Sequence, residues 1–245
     1  MLWGTFGLTH ILSLLLAAGI IIGLYFILKG KSPRTQTLVL GVLSFAGIAA
    51  IIFNLVAWDS PLEYLPFRLC SLNALVLPYA VFSRSKAANN LLLLWALGAV
   101  FALVVNTAQA EYEILSATFA FYYFPHVLEL GIPILMFTLG LVKKDPRCIV
   151  STLLITLASY TLIHFINLGV NAYAAANQCL DWAGNVITVN YMYSLQPENP
   201  LLDLFWSIIP HPYFYMLLAL PVAAVYLLPV YLKDILAAIK ARHHR

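Results

Sequence analysis

FGLTHILSLLLAAGIIIGLYFILKGKSPR, residues 6–34, sets the reading of the whole chain. From Phe6 to Leu28 it holds no Asp, Glu, Lys or Arg, and the apolar run then ends in Lys29, Lys31 and Arg34. Crossing the hydrocarbon takes about 20 apolar residues in an α-helix. A run of this length closed by a basic loop reads as a membrane span ending on the cytoplasmic side. It lacks a positively charged leader and a clear small-residue cleavage site, so it reads as a span and not as a cleavable signal peptide.

The pattern repeats along the chain. Apolar runs fall at about 6–28, 36–57, 67–83, 91–109, 125–142, 149–168 and 207–232. The expected fold is therefore an all-α bundle of seven transmembrane helices, residues 1–245 forming a single integral membrane domain. Every Lys and Arg except Arg68 lies on alternate loops: Lys29, Lys31 and Arg34; Arg84 and Lys86; Lys143, Lys144 and Arg147; and the C-terminal Lys233, Lys240, Arg242 and Arg245. Asp59, Glu63, Glu111, Glu113, Asp181, Glu198 and Asp203 lie on the other set. The positive-inside rule then puts the C-terminus in the cytoplasm and the N-terminus outside.

Composition agrees. Of 245 residues, 62% are hydrophobic and 9% charged, whereas a soluble domain carries roughly 25% charged residues. The net charge of +3 comes from the loops on one side. It reads as topology and anionic-lipid contact, not as nucleic-acid binding. The expected location is the plasma (cytoplasmic) membrane. Three cysteines form no disulfide framework. Cys70 and Cys179 share the outer side, where a disulfide between them stays open.

Two outer loops are rich. The segment 108–125 carries FAFYYFP, a run of aromatics that reads as an interfacial belt. The loop 169–206 is too polar to span and too aromatic for a linker, so it is expected to fold over the outer mouth of the bundle. The third span opens with Pro66-Phe67-Arg68-Leu69-Cys70-Ser71-Leu72-Asn73. Proline suits the first turn of a helix, which sets Cys70 about one turn inside the membrane, with Arg68 near the same level.

The topology collects polar groups at one depth. His10, His126, His164 and His211 all fall in the outer half, with Cys70, Glu129, Asn167 and Asn190. Ionisable residues inside a span are functional candidates by default. Each has a plain reading too: an interfacial histidine, a packed cysteine, a Glu129 anchor paired with Arg68. Coincidence at one depth tips the balance. Three chemistries use such a set. A Cys/His pair transfers acyl groups, with the thiolate of Cys70 favoured by the positive end of its helix and Arg68 placed for a phosphate or an oxyanion. His126 and Glu129, three apart, share a helix face, so Glu129 is a candidate to orient the imidazole. Three histidines on different helices could hold zinc, although no HxxxH or HExxH pair is present. Two could ligate haem. Span seven has no central lysine for a retinal Schiff base.

LPFRLCSLNA at the start of span three, FPHVLELGIP at span five and the late NYMYSLQP resemble the YwaF family of multipass membrane proteins, which includes vertebrate transmembrane protein 164. The likeness covers most of the chain. Ser71 stands where an acid is expected, and Gln196 where a lysine is expected before Pro197. The resemblance implies lipid acyl transfer, from a phospholipid to a lysophospholipid, by a cysteine and a histidine that fall on Cys70 and His126. No cofactor is implied, and the partners are membrane phospholipids or lysophospholipids. Arg68, Glu129, Asn190, Tyr191, His10, His164 and His211 are the candidate substrate-binding residues, with Asn190 and Tyr191 expected to roof the site. The competing readings are a non-enzymatic transporter or binder of a small or amphipathic ligand, and a metal- or haem-binding membrane protein.

Overall fold

The structure is a computed structural model. It describes residues 1–58, 60–105, 109–181 and 183–243, and the side chains of residues 237–243 are not part of that description. Asp59 among the outer acids, and His244 and Arg245 of the basic tail, lie outside the described residues.

The described chain is helical: α1 (Leu8–Leu28), α2 (Pro33–Leu43), α3 (Ala46–Ala57), α4 (Leu69–Ser83), α5 (Lys86–Val104), α6 (Ala117–Thr138), α7 (Cys148–Ala176), α8 (Pro200–Ile208) and α9 (Ala219–His243). Among the described residues six helical stretches are long and apolar enough to cross a membrane: Leu8–Leu28, Pro33–Ala57, Lys86–Val104, Ala117–Thr138, Cys148–Ala176 and Phe214–Leu236. The expected third span is helical only over the 15 residues Leu69–Ser83, about 22 Å at 1.5 Å per residue. That is shorter than the roughly 30 Å of hydrocarbon. Large apolar side chains such as Leu15, Phe26, Phe165 and Val225 stand on helix surfaces mostly exposed, which suits lipid and not water.

Contacts divide the chain into two compact units. The first is Met1–Phe53 with Leu69–Lys144, and the second is Asn54–Arg68 with Asp145–Arg245. In the first, α5 packs on both α4 and α6, α4 also packs on α6, α1 lies on α6 and α2 on α4. The central α5 buries Leu91 through Ala96 without a break. Serines make the entries: Ser32, Ser85 and Ser116 accept the backbone N–H of Thr35, Ala88 and Phe119, the usual N-cap bond. Asn89, fully buried, donates to the carbonyls of Ala80 and Ser85 at 2.7 and 2.8 Å, which fixes the α4–α5 turn.

The aromatic run before His126 is not a loop: it is the first part of α6, which starts at Ala117, and Phe121 and Phe124 stand exposed on it. Phe119 and Tyr123 are buried around a fully buried Trp3, whose indole N–H donates to Ser13 Oγ at 2.8 Å. The N-terminal residues are held by backbone pairing, Trp3 N–H to the Tyr112 carbonyl at 2.9 Å and Gly4 N–H to that of Ala110 at 2.8 Å. The fifth span is expected to open at about 125, but Pro125 lies inside α6, as membrane helices allow.

In the second unit, α7 runs 29 residues, well past the expected exit at 168. Asn171, expected in the outer loop, is helical. The outer loop is correspondingly shorter and holds a hairpin-like turn in which Leu180 and Val186 bridge. Asp181 accepts the backbone N–H of Ala183 and Asn185, each at 2.8 Å. The Asn185 bond, first among these contacts, holds that carboxyl below the usual aspartate range. Further on, α8 is capped by Asn199 with Pro200 at its first position. The last expected span begins as a 3-10 turn at Phe214–Leu218 before α9.

Candidate functional site

α4 starts at Leu69, so Cys70 sits in its first turn, partly exposed. Unsatisfied backbone N–H groups and the positive end of the helix dipole meet there. One turn on, Asn73 is fully buried and faces α6. The sequence reading quoted this asparagine and gave it no role. Its spacing from Cys70, three residues on one helix face, was the signal.

His126 lies in the interior of α6, not at the opening of a span, and is 7% exposed. Its Nδ1 is 2.6 Å from the carbonyl of Tyr122. A carbonyl only accepts, so Nδ1 carries the proton and Nε2 of the neutral ring keeps its lone pair. The Tyr122 ring rests against the imidazole with centroids 4.4 Å apart. The main chain therefore orients His126, a job the sequence reading offered to Glu129.

Glu129 follows on the same face and is 3% exposed. Its carboxyl is acted on electrostatically by both His126 and Cys70. A Cβ on Gly47 of α3 would stand 3.0 Å from Glu129 Oε1 and 2.5 Å from the Ala74 Cβ. Glycine is what lets α3 close over this patch. An apolar groove of about 450 Å³ lies elsewhere on α6, lined by Ile21, Ile22, Tyr25, Ile134, Leu135 and Thr138.

His10 is fully buried and saturated. Its Nε2 donates to the Leu103 carbonyl at 2.7 Å, and its Nδ1 accepts from the Phe6 N–H at 2.9 Å. The ring stands edge-on to Trp3 at 5.5 Å, and Trp3 in turn meets Tyr122 at 5.9 Å. With both nitrogens spent, His10 braces the wall behind His126 and has nothing left for a substrate. His10→Leu strips the buried Leu103 carbonyl and the part-buried Phe6 N–H of their partner. It is expected to cost about 2–4 kcal/mol, read as a lowered midpoint of thermal unfolding in detergent. An unchanged midpoint would refute the bracing role.

The remaining candidates belong to the second unit. Asn167, fully buried, donates from Nδ2 to the Tyr191 carbonyl and to Ser194 Oγ, both at 2.8 Å, and its Oδ1 accepts the Tyr191 N–H at 3.0 Å. Asn171 does the same for Val189, 3.0 Å to its carbonyl and 2.7 Å from its N–H. Two amides four apart on a helix rise about 6 Å, which matches two residues of extended chain at about 3.3 Å each. The loop is thereby paired to α7 as if to a strand. His164 Nδ1 meets Ser194 Oγ at 3.1 Å, and its ring lies 5.1 Å from that of Tyr213.

Asn190 staples its own loop, accepting from Leu195 N–H at 2.9 Å and donating to the Gln196 carbonyl at 2.8 Å and to Glu198 at 2.9 Å. Met192 and Tyr193 follow with φ of 52° and 55°, a costly backbone for non-glycine residues. The Tyr191 hydroxyl donates to the Leu62 carbonyl, and its ring meets Phe67 at 5.6 Å. Burial pushes its phenol up to about 12, partly offset by Arg68, which is exposed. His211 is exposed, and its Nδ1 donates to the adjacent Pro212 carbonyl at 2.8 Å. So the residues expected at one depth divide. Cys70, His126, Glu129 and His10 are in the first unit. Arg68, His164, Asn190, Tyr191 and His211 are in the second. No disulfide joins the cysteines. Among the described residues no three His, Cys, Asp or Glu side chains gather to hold a metal ion.

The long apolar helices define an integral multipass helical membrane protein. The TMEM164 family model matches residues 5–230, and the chain belongs to that family. No curated protein and no solved structure matches it.

Proposed function

We propose that the protein is a membrane-embedded phospholipid acyltransferase, with Cys70 as nucleophile and His126 as base. The observation that carries the reading is the packing of α4, with Cys70 in its first turn, against α6, where the Tyr122 carbonyl orients the buried His126. Family membership supports it. The seven-span arrangement, with N-terminus outside, C-terminus cytoplasmic and residence in the plasma membrane, is part of the same proposal and rests on the alternation of basic loops.

The steps use the groups described. His126 Nε2 takes the thiol proton of Cys70, and the thiolate attacks the carbonyl carbon of a phospholipid acyl ester. Backbone N–H groups in the first turn of α4 stand where the oxyanion forms. The ester C–O bond breaks, the leaving lysolipid oxygen takes the proton from the imidazolium, and a thioester remains on Cys70. The hydroxyl of a second lysolipid then gives its proton to Nε2 and attacks the thioester. The C–S bond breaks, and the thiolate recovers the proton. Arg68 is the candidate contact for a head-group phosphate.

The reading is tested by the intact mass of purified protein after incubation with mixed phospholipids. An added acyl mass that neutral hydroxylamine removes, and that Cys70→Ala never gains, is the expected result. An adduct that forms equally on Cys70→Ala would remove Cys70 from the chemistry. No adduct together with unchanged lipids would favour a binder or transporter.

A further inference from the structure

Two buried oxygens of the first unit have no part in the acyl-transfer steps. Asn73 Oδ1 and Glu129 Oε2 are enclosed and have no hydrogen-bond partner. Their side chains are neighbours between α4 and α6. Asn73 Nδ2 reaches only the backbone carbonyl of Glu129, at a long 3.5 Å. The other carboxyl oxygen, Oε1, lies against Gly47 beside Ala74, the residue after Asn73. Both orphaned atoms are acceptors as they stand, and two acceptors repel. An ionised carboxylate in this apolar interior would be costlier still.

One proton removes the conflict. On Oε2 it neutralises the acid, turns that oxygen into a donor and gives Asn73 Oδ1 its hydrogen. We propose that Glu129 is a protonated acid whose O–H donates to Asn73 Oδ1, and that this bond is a positioning device. It locks the α6 face that carries His126 to the α4 face that carries Cys70, and it keeps a neutral group beside the imidazole. Glu129 then works as a hydrogen-bond donor and not as a charge. Its orienting duty toward His126 is already met by the Tyr122 carbonyl. The titratable groups that act on Glu129 are His126 on its own helix and Cys70 on α4, while α3 offers only Gly47 at that point. The bond itself stands apart from any reaction. Its consequence for turnover rests on the acyl-transfer reading.

The test has two arms. Infrared absorption of the full chain in phospholipid bilayers reads the carbonyl stretch of a protonated carboxylic acid. The band is expected in the wild type, absent from E129Q and shifted in N73L, where the acid loses its acceptor. Acyl transfer is the second arm. E129Q donates the same bond from its amide and is expected to recover most of the turnover that E129L loses, whereas N73L and E129L lose about 100-fold in kcat through misplacement of the reacting groups. A spectrum with no band that E129Q removes would overturn the proposal, because the Asn73 amide then donates to a carboxylate. E129Q as poor as E129L would overturn it too, since a charge is then required. Should Cys70→Ala transfer acyl groups as well as wild type, the acyl-transfer reading fails while the band still decides the state of Glu129.

Discussion

Cys70→Ala is expected to lower acyl transfer by at least about 10³-fold in kcat, because removing a covalent nucleophile leaves only binding and electrostatic stabilisation. The fold should hardly notice. Cys70 is partly exposed in the first turn of α4, and alanine is a better helix former. The measurement is release of labelled acyl chains to a lysolipid acceptor in bilayers, beside a thermal midpoint for each variant. His126→Ala should fall into the same range, since the two groups act as a unit and such losses are not additive. The double variant is therefore expected to be no worse than either single one. Turnover of Cys70→Ala within a few-fold of the wild type would end the thioester mechanism. A double variant whose loss multiplies would show that Cys70 and His126 act at different steps.

How much was legible follows from which signals are local. Length and hydropathy are local, so α1, α5 and the apolar part of α7 stood where the apolar runs placed them. The opening of the fifth span misled because the aromatics before it read as part of an outer loop. The helix starts at Ala117 and runs through Pro125, so His126 lies in a helix interior and not at a helix end. Asn171 misled in a similar way. It fell in the expected outer loop, yet it is helical, and its amide, like that of Asn167, is satisfied by the backbone of a segment about twenty residues downstream. That pairing is non-local and leaves no periodic trace. Depth along a span says nothing of rotation about the helix axis, and rotation decided what His10 and His126 touch. His10 turned to Leu103 and Trp3, and His126 to Tyr122. Apolar residues all round a membrane helix hide that rotation from any hydrophobic pattern.

Asn167→Leu should be the most damaging single change in the second unit. The side chain is fully buried and makes three hydrogen bonds, two of them to the backbone of Tyr191. Leucine has similar bulk and none of the donors. It leaves the Tyr191 N–H and carbonyl buried without partners, at about 1–3 kcal/mol for each group. Ser194 Oγ also loses the amide that holds it next to His164. A net cost of about 3–4 kcal/mol is the expected sum, after allowing for the weaker side-chain bonds typical of membrane proteins. Asn171→Leu supplies the control, because the same pairing with Val189 is only part-buried. Water can replace its bonds, and a loss of about 1–2 kcal/mol follows. Amide exchange separates the two effects. In Asn167→Leu the Tyr191 amide should lose its protection while amides in the middle of α7 keep theirs. The strained backbone at Met192 and Tyr193 should relax with it, since such strain persists only where surrounding contacts over-determine it. Protection at Tyr191 that survives Asn167→Leu would mean the loop is held by Tyr213 N–H on the Ser194 carbonyl and by its own turns, with Asn167 a passenger.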